Sequence, residues 1–470
     1  MLKRFDIEIT KEDPYLNDKL ERKSVGETLK SIIDIYGSQG CVLAINGEWG
    51  TGKTTFIKMW EKDLLNSGYE VLFYNAWETD YIADPVITIV HKLLELVSED
   101  SKEYKGLKSL LGKLVVDVTK DFGSNVLRNI SKFAPNTVDE LENIASAYIS
   151  NIFEQKHNID ALKKELKSFI NEHAEKHPIV FFIDELDRCN PHYAVSVLET
   201  IKHLFEESNV VFVLAINRTA LCAAIKGYYG SDSIDAEEYL RRFIDFEYHL
   251  PKPNIETYCN FLYDHYGYNS FLENKERKQY QEFIYDDMVF KKFAYSFCQS
   301  LNLNLRFIDR LYSYTRLTMY QFSLNSIVYP RLYFILCFIR TKDSEFFYKI
   351  KDASLSIQSL LQYFENNFPK KMLNPPQPDH SLIIYEVAML LVYYYDLQKH
   401  SEFLNARYGY GENKINNLDD LKNFFNVKPV VFDEEDFWEK ISNHFSKFDE
   451  YFRLSTLLDN IDLLAGFQKS

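Results

Sequence analysis

Eight consecutive residues, Gly47-Glu48-Trp49-Gly50-Thr51-Gly52-Lys53-Thr54, carry the strongest chemical signal in the chain. Their spacing is that of a phosphate-binding Walker A loop. Glycines at these positions let successive backbone N–H groups turn toward one anion, an approach that a Cβ would block. Lys53 is placed to reach β- and γ-phosphate oxygens, and the Thr54 hydroxyl is left for magnesium. Residues 47–55, ending in Thr55, are therefore expected to hold ATP with Mg2+.

A second constellation supplies paired carboxylates. The run Ile179-Val180-Phe181-Phe182-Ile183 ends in Asp184-Glu185, the pattern of a Walker B strand. Asp184 is expected to hold magnesium through water, and Glu185 to act as the base that polarises the attacking water. The chemistry needs both acids, one beside the cation and one clear of it. A third polar group, Asn217, follows the apolar run 210–216. It reads either as a sensor that hydrogen-bonds the γ-phosphate or its water, or as an ordinary polar strand terminus.

These groups need rigid elements behind them. The run Cys41-Val42-Leu43-Ala44-Ile45 predicts a short buried strand ahead of the loop, and residues 55–65 predict the helix whose N-terminus faces the anion. Further strands are expected at 70–74, 179–183, 210–216 and 246–250. The third is apolar on both faces, as a central parallel strand should be. A helix is expected at 24–36, through Val25, Leu29, Ile32 and Ile33, and residues 18–22 just ahead of it are a candidate border for the nucleotide base. Asp84-Pro85 supplies a cap and a proline at the first turn of another helix. Helical periods follow at Leu107, Leu111, Leu114 and Val118, at Leu141, Ile144, Tyr148 and Ile152, and at Leu162, Leu166 and Phe169. The expectation is an all-helical insertion of about 90 residues, over 84–176, longer than an ordinary crossover. Helices are also expected at 254–268, 286–300, 305–317, 355–364, 382–396 and 437–464.

Composition limits the alternatives. A net charge of −15 argues against a general nucleic-acid or membrane-surface binder, because phosphate contacts need clustered Lys and Arg. Six scattered cysteines offer no CxxC pair, so buried thiols in a reducing cytoplasm are expected. The stretches 327–339 and 382–395 come nearest to membrane spans, but Pro330 and Arg331 interrupt the first and Glu386 the second. The 36 Phe and 33 Tyr lie mostly within amphipathic helical patterns, which points to core packing rather than base stacking.

With its motifs in place, the chain resembles the KAP-family P-loop NTPases, a branch near the AAA+ and STAND enzymes. The carrying residues are Asp18-Lys19-Leu20, the 47–54 loop, Asn75-Ala76-Trp77, Asp184-Glu185-Leu186-Asp187-Arg188-Cys189, and Tyr239-Leu240-Arg241-Arg242-Phe243 ahead of Leu250-Pro251. They cover roughly residues 15–315. The resemblance implies an α/β fold in which a parallel five-stranded sheet has its sensor strand between the Walker A and Walker B strands, with a helical insertion after the second strand. Relatives often show two aspartates after the third strand, where this chain has Glu185, and often an acidic residue where it has Asn217. Many carry transmembrane helices in the insertion, and this sequence offers none.

Likeness to AAA+ enzymes adds four arginines. Arg241 and Arg242 stand where such relatives present fingers across a subunit boundary, with Arg218 as runner-up; the alternative is pairing with Asp187, Glu237 or Glu238 in the same chain. Arg306 opens a lid helix, as a nucleotide-sensing arginine or on a solvated face. The expected layout is an NTPase domain over 1–253, a lid-like bundle over 254–320 and a helical domain over 321–470. The expected activity is ATP hydrolysis that controls an assembly or an effector protein, in a homo-oligomer whose association depends on ATP. Bacterial relatives are frequent in anti-phage and anti-plasmid defence, which the resemblance implies as the setting. The rival readings are a nucleotide-gated scaffold with little turnover and a DNA-handling motor, which the acidic balance disfavours.

Overall fold

Two strands in the chain are buried along their whole length: β3 (Ile179–Asp184) and β4 (Val210–Ile216). Such continuous apolar runs have no solvent face and need cover on both sides, which parallel strands with crossover helices provide. β1 (Cys41–Asn46), β2 (Val71–Asn75) and β5 (Phe246–His249) complete a sheet of order β2-β3-β4-β1-β5, every pairing parallel. β4 thus lies between β1 and β3, the place expected for the sensor strand. The edge strands announce themselves by burial, alternating in β2 and nowhere complete in β5.

The structure, a computed structural model, describes residues 8–81, 84–102, 104–109, 152–174, 176–205, 209–374, 383–409 and 414–462. The helical periods expected at Leu111, Leu114 and Val118 and at Leu141, Ile144 and Tyr148 lie outside them. The chain divides into two units, Met1–Lys252 and Pro253–Ser470.

In the first unit, side chains of β3 alternate between two cores. Val180 and Phe182 join Val211, Val213 and Ala215 of β4 against α1 (Lys23–Tyr36) and α2 (Lys53–Asn66). Ile179, Phe181 and Ile183 join Phe212, Leu214 and Ile216 on the other face. That face is covered by α3 (Pro85–Leu94), α4 (Ile152–His173), α5 (Pro191–Phe205), α6 (Arg218–Tyr229) and the short α7 (Ala236–Leu240). Asp84 caps α3 by accepting from Val86 N, with Pro85 at the first turn, as its sequence predicts. Gly26 is required where α1 meets α2, because a Cβ there would stand 2.3 Å from the Tyr15 hydroxyl and 3.3 Å from the Trp60 ring.

The second unit is helical, and one core runs from Cys259 to Ile461. Its elements are α8 (Ile255–His265), α9 (Asn269–Leu272), α10 (Asp286–Ser300), α11 (Leu305–Met319), α12 (Pro330–Lys342), α13 (Ser344–Lys351), α14 (Ile357–Asn367), α15 (Lys370–Leu373), α16 (Ile384–Tyr408), α17 (Leu418–Phe425), α18 (Glu434–Ser446) and α19 (Leu454–Asp462). The residues expected as a 254–320 bundle therefore share their core with those that follow. Aromatic rings fill much of it: Phe290 and Phe334 meet edge to face with centroids 5.5 Å apart, and Phe297 and Phe338 at 5.2 Å. The single helix expected over 437–464 is two helices, because Asp449 turns the chain by donating its N–H to the Tyr393 hydroxyl and accepting from Tyr451 N. The stretch around Ile327, read only as a near-span, instead yields α12, whose Leu332 to Ile339 are all buried. Among the described residues no helix is long and apolar enough to cross a membrane. All six cysteines are buried thiols without disulfides.

Candidate nucleotide-binding site

Strand register assembles the site. Asn75 of β2 pairs with Asp184 of β3, Asp184 with Ala215 of β4, and Asn46 of β1 with both Ile216 and His249. The carboxyl ends of all five strands thus share one edge, the place where open α/β sheets bind ligands. The loop 47–52 leaves β1 at that edge and α2 begins at Lys53.

Backbone shape in the loop fits a phosphate cradle. Gly50 has φ 82° and Gly52 φ 88°, left-handed values that suit glycine. A Cβ on Gly47 would stand 2.9 Å from the Thr51 hydroxyl and 3.6 Å from Lys53 Cδ. Thr51 donates to Glu48 O at 2.8 Å, closing the turn. Lys53 is 8% exposed, and its Nζ donates to Gly47 O at 2.5 Å and Glu48 O at 3.1 Å, so the ammonium is folded back along its own loop. Thr54 and Thr55 occupy the first turn of α2.

The two acids at the end of β3, Asp184 and Glu185, point to different surroundings. Asp184 is 3% exposed, and its carboxylate accepts from Glu185 N at 2.9 Å and lies near the Thr54 hydroxyl. Burial pushes the Asp184 carboxyl above its ordinary range, while the Thr54 hydroxyl, the Glu185 N–H and the Lys53 ammonium pull it down. Thr54 and Asp184, the two groups expected at magnesium, therefore lie near one another. Asp184→Asn is expected to remove the magnesium-dependent part of ATP affinity, so that calorimetric titrations with and without Mg2+ coincide. A magnesium gain equal to that of the unaltered protein would contradict this role.

Glu185 points its own way from a left-handed backbone, φ 60°, unusual for a residue with a side chain. Its Oε2 accepts from Arg188 Nη1 at 2.8 Å. The short turn that follows, Leu186–Arg188, is tied to the phosphate loop through Trp49 Nε1, which donates to Asp187 Oδ2 at 2.5 Å. The Arg188 guanidinium also sits 5.7 Å from the centroid of the Trp77 ring. Neither Arg188 nor Trp77 had an assigned role in the sequence, and the only local hint was an arginine three residues after the acid.

The remaining expectations fare differently. Asn217 caps α6, its Oδ1 accepting from Ala220 N at 3.2 Å, so that oxygen serves the helix. Arg218 is bound within the chain, its Nε donating to Glu237 Oε2 at 2.5 Å and its Nη1 to Glu247 Oε2, beside a cavity of about 440 Å³ that Arg241, Asp245 and His249 also line. Asn46, which the sequence reading passed over, braces this corner: its Nδ2 donates to Glu247 Oε1 at 2.8 Å and its Oδ1 accepts from Arg218 N at 3.1 Å. Arg241 donates to Glu238 at 3.0 Å, an exposed pair one turn apart. The Arg242 side chain is exposed and makes no ion pair with a described residue. Arg306 is exposed on the first turn of α11, in the second unit. In the 18–22 segment, Asp18 accepts from the N–H groups of Leu20, Arg22 and Lys23, and Arg22 is buried with Nη2 donating to Pro251 O at 2.7 Å.

Comparison with known proteins agrees with this architecture. A family model described as the KAP family P-loop domain matches residues 22–321. Among solved structures, the Aeropyrum pernix ORC2 protein, in ADPNP and ADP complexes, is 14% identical over 95% of this chain and 94% of its own, with a TM-score of 0.28, too low to carry any inference. No curated protein sequence matches.

Proposed function

The chain belongs to the KAP family of P-loop NTPases, and from that premise we propose that it is a magnesium-dependent ATPase whose nucleotide state controls an assembly or an effector protein. The observation that carries this reading is the gathering at one sheet edge of the Lys53 ammonium, folded along the 47–52 loop, and the buried Asp184 carboxylate, with Thr54 beside it. Those are the groups that a magnesium–triphosphate complex needs, gathered from the start of α2 and the end of β3, with Thr54 and Asp184 130 residues apart.

Each residue then has a task. The loop N–H groups of 47–55 orient the phosphates, with Trp49 holding the loop to Asp187. Lys53 exchanges its carbonyl partners for phosphate oxygens and draws charge from them as the terminal phosphoryl group leaves. Thr54 and Asp184 hold the cation, which when bound neutralises charge on the β- and γ-phosphates. Glu185 accepts the proton of the attacking water. Asn217, its oxygen given to the α6 cap, has its amide N–H group to offer the γ-phosphate. Arg306 of α11 is kept in this proposal as a candidate nucleotide-sensing arginine. We keep the division into an NTPase domain over 1–253, a lid over 254–320 and a C-terminal domain over 321–470 as part of this reading, with the insertion at about 84–176 as a partner surface.

ATP-controlled self-association belongs to the same proposal. A P-loop site without a trans charge turns over slowly, and an arginine from a neighbouring subunit raises turnover by roughly 10³ to 10⁵. Arg218 is spent on Glu237 and Glu247, which leaves Arg241 and Arg242 as the exposed pair. An exposed pair such as Arg241 with Glu238 contributes little, about 0–1 kcal/mol, and yields readily to a better anion. Sedimentation of Glu185→Gln with ATP is expected to show a larger species than without it, and Arg241→Ala or Arg242→Ala to lose that species together with most of the turnover. A monomer under every condition, with specific activity independent of protein concentration, would rule out a trans arginine. The setting we propose is anti-phage defence, from the cytoplasm, and an effector nuclease or deaminase encoded beside this chain would support it. The nucleotide-gated scaffold and the DNA motor are distinguished from it by steady phosphate release and by salt-dependent DNA binding, respectively.

A further inference from the structure

The turn after Asp184 is fastened at three points, and the third involves a motif that phosphate binding leaves unexplained. Asp184 Oδ1 accepts from Glu185 N at 2.9 Å, Trp49 of the phosphate loop donates to Asp187, and Arg188 donates to Glu185 Oε2 at 2.8 Å. Arg188 is in turn flanked by Trp77, from the turn that ends β2. That turn is built by Asn75, whose Oδ1 accepts from Trp77 N at 3.2 Å and whose Nδ2 donates to Glu78 Oε1 at 2.9 Å. The Asn75-Ala76-Trp77 stretch thereby presents an indole to the guanidinium, and because Asn75 pairs with Asp184 in the sheet, the indole arrives beside the Walker B turn.

We propose that Arg188 is a positioning residue for Glu185, and that Trp77 is the platform that positions Arg188. This rests on the reading of Glu185 as the base.

The physical need is specific. Glu185 holds a left-handed backbone that a residue with a Cβ adopts only when its surroundings enforce it. Two ties on the turn, one to Asp184 and one through Asp187 to the phosphate loop, fix that backbone, yet neither touches the Glu185 carboxylate. A glutamate side chain has several staggered rotamers, and a base must hold the one that faces the attacking water. Arg188 donates to Oε2 and so favours one of these rotamers. The guanidinium itself needs a fixed position for this. It is planar, and an aromatic ring within about 6 Å of it attracts it through the ring quadrupole. An arginine three residues on from Glu185 and a tryptophan 108 positions before it therefore act on one carboxylate.

A double-mutant cycle on the full chain tests this, with ATP affinity from calorimetry as the check that each variant keeps its phosphate site. Arg188→Ala is expected to lower kcat about 10-fold with KM for ATP within about two-fold of the unaltered protein, the pattern of a group that acts through a transition-state partner. Arg188→Lys should recover part of the loss, because a single donor remains. In the Glu185→Gln background Arg188→Ala should add nothing, since the group it positions is gone. Trp77→Ala should follow Arg188→Ala in direction at smaller size, and Trp77→Phe should restore it. Equal losses from Arg188→Ala in both backgrounds, an effect on KM alone, or an Arg188→Ala protein that binds ATP and turns over normally would each overturn the proposal while leaving the ATPase reading intact. Absence of turnover in the unaltered protein would remove both.

Discussion

Glu185→Gln is expected to bind Mg–ATP as tightly as the unaltered protein and to release phosphate more slowly by about 100-fold or more, the usual loss when a water-orienting base is removed. The separation of roles follows from geometry. Asp184 lies near Thr54, where magnesium is proposed, whereas the Glu185 carboxylate turns from a left-handed backbone toward Arg188. The amide keeps the size and most of the hydrogen bonding of the acid, so binding survives while proton acceptance is lost. Calorimetry and phosphate release on the same preparation check both halves. Turnover at the unaltered rate would place the base elsewhere.

Lys53→Ala is expected to weaken ATP binding by about 100-fold or more and to abolish turnover, because truncating one partner of a buried, hydrogen-bonded charge pair costs several kcal/mol. The ammonium is 8% exposed and held by two loop carbonyls, so it starts largely desolvated and already inside the cradle. No other cation among the described residues is placed within the 47–54 loop. Calorimetric titration with ATP and magnesium measures the loss directly. Affinity and turnover both unchanged in the variant would withdraw the assignment of this loop.

What the sequence disclosed, and what it hid, follow from the range of the interactions. β3 and β4 were legible because a strand covered on both faces must be apolar throughout, and the carboxyl-edge placement of Asp184 followed from a strand that ends in acids. The phosphate loop was legible because only glycine meets its left-handed backbone cheaply at Gly50 and Gly52. The helical cap served by Asn217 was open to local reading, since polar residues before helices usually cap them. The Trp49–Asp187 and Arg188–Trp77 contacts join residues more than 100 positions apart, and no local pattern specifies them. Nor did periodicity separate α18 from α19, because the break depends on Tyr393, which comes from a different helix, α16.

The central claim is that residues 47–55 with Asp184 and Glu185 form a working ATPase site, and steady phosphate release tests it most directly. With Mg–ATP in excess, the unaltered protein should release many phosphates per chain, in a linear course that requires magnesium and that Lys53→Ala abolishes. Release that stops at or below one phosphate per chain, or that continues undiminished in Lys53→Ala, would contradict the account.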